Sequence, residues 1–262
     1  MATKISWTNE TWNPVAGCSM MSDGCKNCYA MRMAARLDAM GQEKYQNLTH
    51  RVKNRPVWTG QVKTSATELE KPYRWRKPRM VFVNSMSDLF HKKVPFSFVD
   101  QVIDVIADNS QHTFQILTKR AGRLAQYAQR HTKWPENLWV GVSAENDKYA
   151  QARIPLLLRV PAAVHFVSYE PALGNINWDA DWGQNLDWVI YGAESGSNRR
   201  PHDMQWARDA RDFCIQHDIA FFYKQGSAAR SGVAPYLVEN DNSQWYWQQY
   251  PYDLAEPVKL AS

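Results

Sequence analysis

The sequence predicts an α/β chain folded as a partial (β/α) TIM-like barrel, a single domain over residues 1–235 followed by a Trp/Tyr-rich tail over 236–262. Three observations carry that prediction. Short apolar runs alternate with amphipathic stretches, the pattern of parallel strands covered by helices. Polar residues stand at the C-terminal end of one apolar run after another, where β/α barrels place their sites. A length of 262 residues is one that an α/β barrel fills as one unit.

A first strand is expected just before Cys18, and 29–37 has the strong helix formers and apolar stripe of a helix. The run 79–85 leads to a helix over 98–107, and 113–118 leads to one over 120–130. The run 138–143 precedes a helix over 147–158, 163–168 an irregular connection, 186–192 a helix over 204–217, and 219–223 closes the series. That makes seven strands. A doubly wound open sheet is the alternative, and the polar strand ends favour the barrel. They are Asn84, Ser85, Ser87 and Asp88; Thr118, Lys119 and Arg120; Ser143, Glu145 and Asn146; Ser168, Tyr169 and Glu170; Glu194 and Ser195; Lys224 and Gln225. Any one of these taken alone is an ordinary loop or capping residue. Their recurrence after six strands is the signal.

Composition narrows the function classes. Lys and Arg exceed Asp and Glu by 31 to 26, a net charge of +5, compatible with an anionic partner without demanding one. No apolar start of signal-peptide length and no run near the roughly 20 apolar residues of a membrane span is present, so a cytoplasmic setting with reduced thiols and no membrane partner is expected. Four cysteines are too few for a disulfide scaffold at this length.

Three of the four, Cys18, Cys25 and Cys28, share the loop 17–30, which runs into the first helix. Three thiolates from one glycine-punctuated loop can occupy three corners of a cubane iron–sulfur cluster and leave one iron open. Spacing alone also admits structural zinc with a distant fourth ligand, such as Cys214 or a histidine, and unligated or redox thiols. Cys214 itself reads as a buried hydrophobe on a helix.

A three-cysteine loop that follows a first strand, enters a helix and precedes a partial β/α barrel resembles the radical S-adenosylmethionine (SAM) superfamily. The string from Trp12 to Cys18, closing with Cys25 to Ala30, is similar to the loop of spore photoproduct lyase and its relatives. More closely, Thr11 to Ala30, with Val83 to Phe90 and Leu117 to Arg120, resembles the phage-associated three-Cys-motif family over nearly the whole chain. The loop has six residues between its first two cysteines where the superfamily usually has three. Asn27 stands in place of the aromatic residue common before the last cysteine, which passes adenine packing to Tyr29 or a strand-end side chain.

The resemblance implies a [4Fe-4S] cluster held by Cys18, Cys25 and Cys28, with SAM chelated at the open iron and cleaved to a 5′-deoxyadenosyl radical. It implies SAM contacts from Asn84, Ser85 and Asp88, the last as an anion for the amino group. Lys119 would pair with the carboxylate, Ser143 and Glu145 would meet the ribose, and Glu170, Glu194 and Lys224 would serve substrate polarity or proton transfer. It also implies an external electron donor and a separate partner protein.

Residues 71–79 interleave five cations with Tyr73 and Trp75, a composition that grips phosphates and stacks bases, or else a solvated connector. The loop 192–201 ends in Arg199 and Arg200 and reads as a lid, an anion clamp or an ordinary loop. The tail around 244–250 reads as a cover for the open side of the barrel or as a partner surface. Two functions follow: a radical SAM enzyme acting on a nucleic acid or nucleotide, or a non-catalytic zinc module recognising nucleic acid or a partner protein.

Overall fold

The computed structural model describes residues 3, 5–131 and 134–260. Of the expected domain and tail, residues 1, 2, 4, 132, 133, 261 and 262 lie outside the described residues. The chain falls into two compact units, Met1–Val140 with Val160–Ala163, and Gly141–Arg159 with Val164–Ser262.

The first unit opens with β1 (Glu10–Trp12) and β2 (Val15–Ala16), runs through the cysteine loop into α1 (Tyr29–Ala39), and continues with β3 (Thr49–Val52), β4 (Arg55–Trp58), β5 (Lys63–Thr64) and the short α2 (Ala66–Leu69). Then come β6 (Met80–Val83), α3 (Phe96–Asp108), β7 (Thr113–Thr118), α4 (Ala121–Ala128) and the first half of β8 (Leu138–Ser143). β1, β6 and β7 pair in parallel, with Trp12 opposite Val83 and Val83 opposite Ile116. Val81, Phe82 and Val83 are all buried, as expected of a strand covered on both faces. α3 buries Phe98, Val99, Val102, Val105 and Ile106, one stripe at helical spacing.

The sequence reading did not foresee the antiparallel pair β3–β4. Its two-residue turn places Lys53 at φ +47° and Asn54 at φ +63°, the left-handed pair of a type I′ hairpin. Asparagine tolerates that region, whereas a lysine there costs of order 1 kcal/mol. Leu48 and Trp58, which flank the hairpin's open end, are buried with Ala16, Ala30, Met31, Ala34, Tyr45 and Met86, and Cys18, Cys28 and Leu37 pack against the same group. Burying a side chain as large as Trp58 contributes on the order of 2–3 kcal/mol and fixes the hairpin's root.

The second unit takes the last half of β8, then α5 (Asp147–Leu157), β9 (Val164–Ala172), α6 (Ala180–Gly183), β10 (Trp188–Ala193), α7 (Met204–Gln216) and β11 (Ala220–Gln225). Asn146 and Asp203 cap α5 and α7 by accepting from the backbone N–H groups of Tyr149 and Gln205. β9, β10 and β11 are parallel and bring the buried Tyr169, Tyr191 and Tyr223 side by side. β12 (Leu237–Val238), β13 (Gln244–Tyr246) and β14 (Val258–Lys259) form a small antiparallel sheet. Beyond β13, Trp247 and Gln249 lie along β11: the Tyr223 N–H donates to the Trp247 carbonyl at 2.8 Å and the Gln249 N–H to the Phe221 carbonyl at 3.1 Å. The aromatic tail thus pairs with the outer edge of β11.

The parallel sheet counts seven strands in the order β1-β6-β7-β8-β9-β10-β11. No reversal interrupts that order, and a doubly wound sheet requires one. The mixed α/β architecture is therefore consistent with a partial β/α barrel.

Candidate functional site

In the first unit the cysteine loop is pinned at its start. Gly17 has φ +88°, and a Cβ there would lie 2.4 Å from the Gln61 carbonyl oxygen, so only glycine lets the chain pass. Its carbonyl accepts from the Ser87 hydroxyl, just beyond β6. Val15 donates its N–H to Asn84 Oδ1 at 3.0 Å, and the Tyr29 hydroxyl donates to the Ser85 carbonyl at 2.6 Å. Entry and exit of the loop are thereby tied to the end of β6, which brings the expected residues Tyr29, Asn84 and Ser85 together with the cysteines.

Each sulfur faces a donor. Arg120 Nη2 lies 3.7 Å from Cys18 Sγ, and the Met21 N–H lies 3.5 Å from Cys25 Sγ. The backbone N–H groups of Ala30 and Met31, at the start of α1, act on Cys28. All three thiols are free. Burial pushes the Cys18 thiol up to about 12 against the pull of Arg120, and burial also raises Cys28. Lys119 acts in the opposite direction on Cys28. Without a cationic centre these two sulfurs are therefore protonated, and a bound metal would replace those protons.

Among the described residues no three His, Cys, Asp or Glu side chains converge closely enough to hold one metal ion. Thiolates on a cubane cluster bind separate irons and need not converge on one point. The loop offers three thiols, each with an N–H group directed at it.

Asp88 organises the floor of this site. Its Oδ1 accepts from Phe90 N at 2.9 Å and Thr118 Oγ1 at 2.7 Å, and its Oδ2 from Lys119 N at 3.2 Å and Arg120 Nη1 at 2.6 Å. Both oxygens are engaged by the protein, so Asp88 holds Arg120 in place instead of standing as a free anion. Asp88 and Arg120 are 4% and 8% exposed, which makes this a buried ion pair. Arg120 Nη2 also donates to the Ser19 hydroxyl at 3.0 Å and its carbonyl at 3.1 Å.

Ser19 Oγ lies 2.9 Å from His91 Nε2, and His91 Nδ1 accepts from the Lys93 N–H at 3.2 Å, so the ring proton sits on Nε2. Burial and the Arg120 guanidinium lower the His91 pKa to about 4. A depressed folded-state value means stability present above the unfolded pKa of 6.5 and lost as pH falls toward 4. The wild-type protein is accordingly expected to lose on the order of 1–3 kcal/mol more than H91Q between those limits in urea titrations. A parallel decline in both proteins rejects the assignment.

Asn84 has a further property: its Nδ2 is buried with no hydrogen-bond partner among the described residues. An orphaned donor at this depth costs about 1–3 kcal/mol.

The second unit carries the other expected residues. Glu170 on β9 pairs with Lys224 on β11. β10 lies between those strands, and the pair crosses it at Gly192, where a Cβ would come within 3.1 Å of the Glu170 carboxyl carbon. Glu194 is gripped by Arg200, whose Nε and backbone N–H both reach Oε2 at 2.9 Å, so this arginine is engaged within its own loop and is not a free anion clamp. Glu145 is fully buried against Arg153, which donates to Glu145 Oε2 at 2.9 Å and to the Ser143 carbonyl at 2.6 Å.

Arg120, Ser19 and His91 are the site residues that sequence reasoning missed as a group. Arg120 and His91 lie at or next to recognised motifs, but what joins them to Cys18 is a tertiary contact. In the basic segment, Lys71 pairs with Glu68 and Arg79 with Glu10, while the Tyr73 hydroxyl donates to Asp108 at 2.7 Å. Only Arg74, Arg76 and Lys77 remain exposed without an ion pair among the described residues.

Residues 2–251 match the family described as "Protein of unknown function (DUF5131)". No curated protein and no solved structure matches the chain.

Proposed function

The chain belongs to the DUF5131 family, and we propose that it is a radical SAM enzyme, built on a partial barrel of the radical SAM type, that modifies or repairs a nucleic acid or nucleotide. The observation that carries this reading is the loop of three free thiols, each facing an N–H donor, with the charged Arg120 at Cys18. When bound, a [4Fe-4S] cluster and SAM supply reductive cleavage of the sulfonium to methionine and a 5′-deoxyadenosyl radical, which takes a hydrogen atom from the substrate.

The protein's share is binding and positioning. Cys18, Cys25 and Cys28 hold the cluster, and Arg120, held by Asp88, offsets the charge of the thiolates. Lys119 supplies a cation for the SAM carboxylate, and Asn84 Nδ2 an unspent donor for its polar groups. Tyr29, half exposed and tethered through its hydroxyl, offers a flat face for adenine. In the second unit the Glu170 and Lys224 pair is able to hold and pass a proton. The electron comes from an external donor.

Anaerobically purified protein is expected to carry about four irons with matching sulfide, and to release 5′-deoxyadenosine when given SAM and a reductant. Stoichiometric zinc without sulfide would instead establish the metal-binding module, and an intact cluster that never cleaves SAM would remove the enzyme reading.

A further inference from the structure

We infer that the β3–β4 hairpin is a ribbon that binds duplex DNA beside the cysteine loop. This rests on the nucleic-acid reading above and deepens it by naming the surface and the form of the partner. Between Glu43 and Glu68 the chain has no acidic residue, but it has Lys44, Arg51, Lys53, Arg55 and Lys63. Lys44 is paired with Glu68, and Lys63 donates to the Glu43 carbonyl. Arg51, Lys53 and Arg55 gather at the hairpin tip, all exposed, and their side chains make no ion pair or hydrogen bond among the described residues. His50 is exposed next to them.

Lys53 holds a left-handed backbone that asparagine or glycine adopts with less strain, so a cation is kept at the tip against local preference. The hairpin's one Trp, Tyr or Phe is Trp58, which is buried at its root. The hairpin's one exposed ring is His50, set beside three unpaired cations at the tip, a charge arrangement that suits the closely spaced phosphates of a duplex. The major groove of B-DNA admits a two-stranded β-ribbon, whereas that of A-form RNA is too narrow. The root packs in one group with residues that Cys18 and Cys28 touch. A strand of this length spans roughly 13 Å, so a duplex on the tip lies within reach of the loop.

The test is fluorescence anisotropy of the full chain with a labelled DNA duplex of about 20 bp across about 50–200 mM salt. R51Q/K53N/R55Q alters only exposed side chains and keeps the turn. It is expected to bind about 10- to 100-fold more weakly at low salt, with the slope of log K against log salt reduced by about 2.7. R159Q/R230Q/K259Q, which removes the same charge from exposed positions elsewhere, is expected to bind like wild type. Equal loss in both variants, an unchanged slope, tighter binding of single strands or duplex RNA, or no binding by wild type overturns the inference. The same titration on C18A/C25A/C28A separates the two readings. Hairpin-dependent binding that survives there supports the ribbon even if the iron assay fails, and iron-loaded protein without such binding overturns the ribbon alone.

Discussion

On the proposed radical SAM reading, alanine at Cys18, Cys25 or Cys28 is expected to abolish iron loading and to reduce release of 5′-deoxyadenosine to that of a protein-free blank. The loop carries three of the four cysteines, so one lost ligand leaves it with two, too few to retain a cubane. Cys214→Ala is the matched control. That thiol is fully buried on α7, and burial alone pushes its pKa well up, the condition of an inert structural cysteine. It is expected to keep iron and SAM cleavage while costing about 1 kcal/mol of stability. Iron that stays with any of the three single loop variants would show that the loop is not the ligand set. Cys18 and Cys28 touch the core group that includes Leu48 and Trp58, so thermal melts accompany the assay to separate lost ligation from lost packing.

Asp88→Ala carries the second large effect. It leaves Arg120 as an uncompensated charge, 8% exposed, and strips the acceptor from Phe90 N, Thr118 Oγ1 and Lys119 N. Removing one partner of such a pair costs about 3–5 kcal/mol, which for a chain of this size lowers Tm by about 6–15 °C. The double variant D88A/R120M removes the stranded charge and is expected to recover part of that loss. A single variant that melts within a degree or so of wild type would mean that the pair is not buried in solution as described.

The elements with strong periodicity were legible from sequence. β7 and β8 appear at their expected bounds, and α3, α5 and α7 depart from theirs by only one or two residues, because buried strands and amphipathic helices write their burial directly into residue order. The β3–β4 hairpin was not legible, for a physical reason. His50, Arg51, Val52 and Arg55 lack apolar alternation, Pro56 interrupts the second strand, and Lys53 with Asn54 is not the usual Asn-Gly turn.

The site divides in the same way. Three cysteines in one loop are a local pattern, whereas the network from Cys18 through Arg120 to Asp88 and His91 spans a hundred residues and exists only once β6, β7 and their loops are in place. Asp88 was found at the right strand end, but its two oxygens are already occupied, and no local pattern reveals how many donors a fold will bring to a carboxylate. Glu194 shows the opposite case: its partner, Arg200, lies six residues away and was visible in the loop, though their pairing was not.

The cover on β11 sets an order of events during synthesis. β11 ends at Gln225, but the backbone groups that satisfy its outer edge belong to Trp247 and Gln249. A nascent chain therefore finishes its last parallel strand and then extends by 24 more residues (249 − 225) before that edge is capped. At about 5–20 residues per second this leaves an apolar strand edge open for roughly 1–5 s, the interval in which a neighbouring nascent chain or a chaperone competes with the tail for the same row of hydrogen bonds.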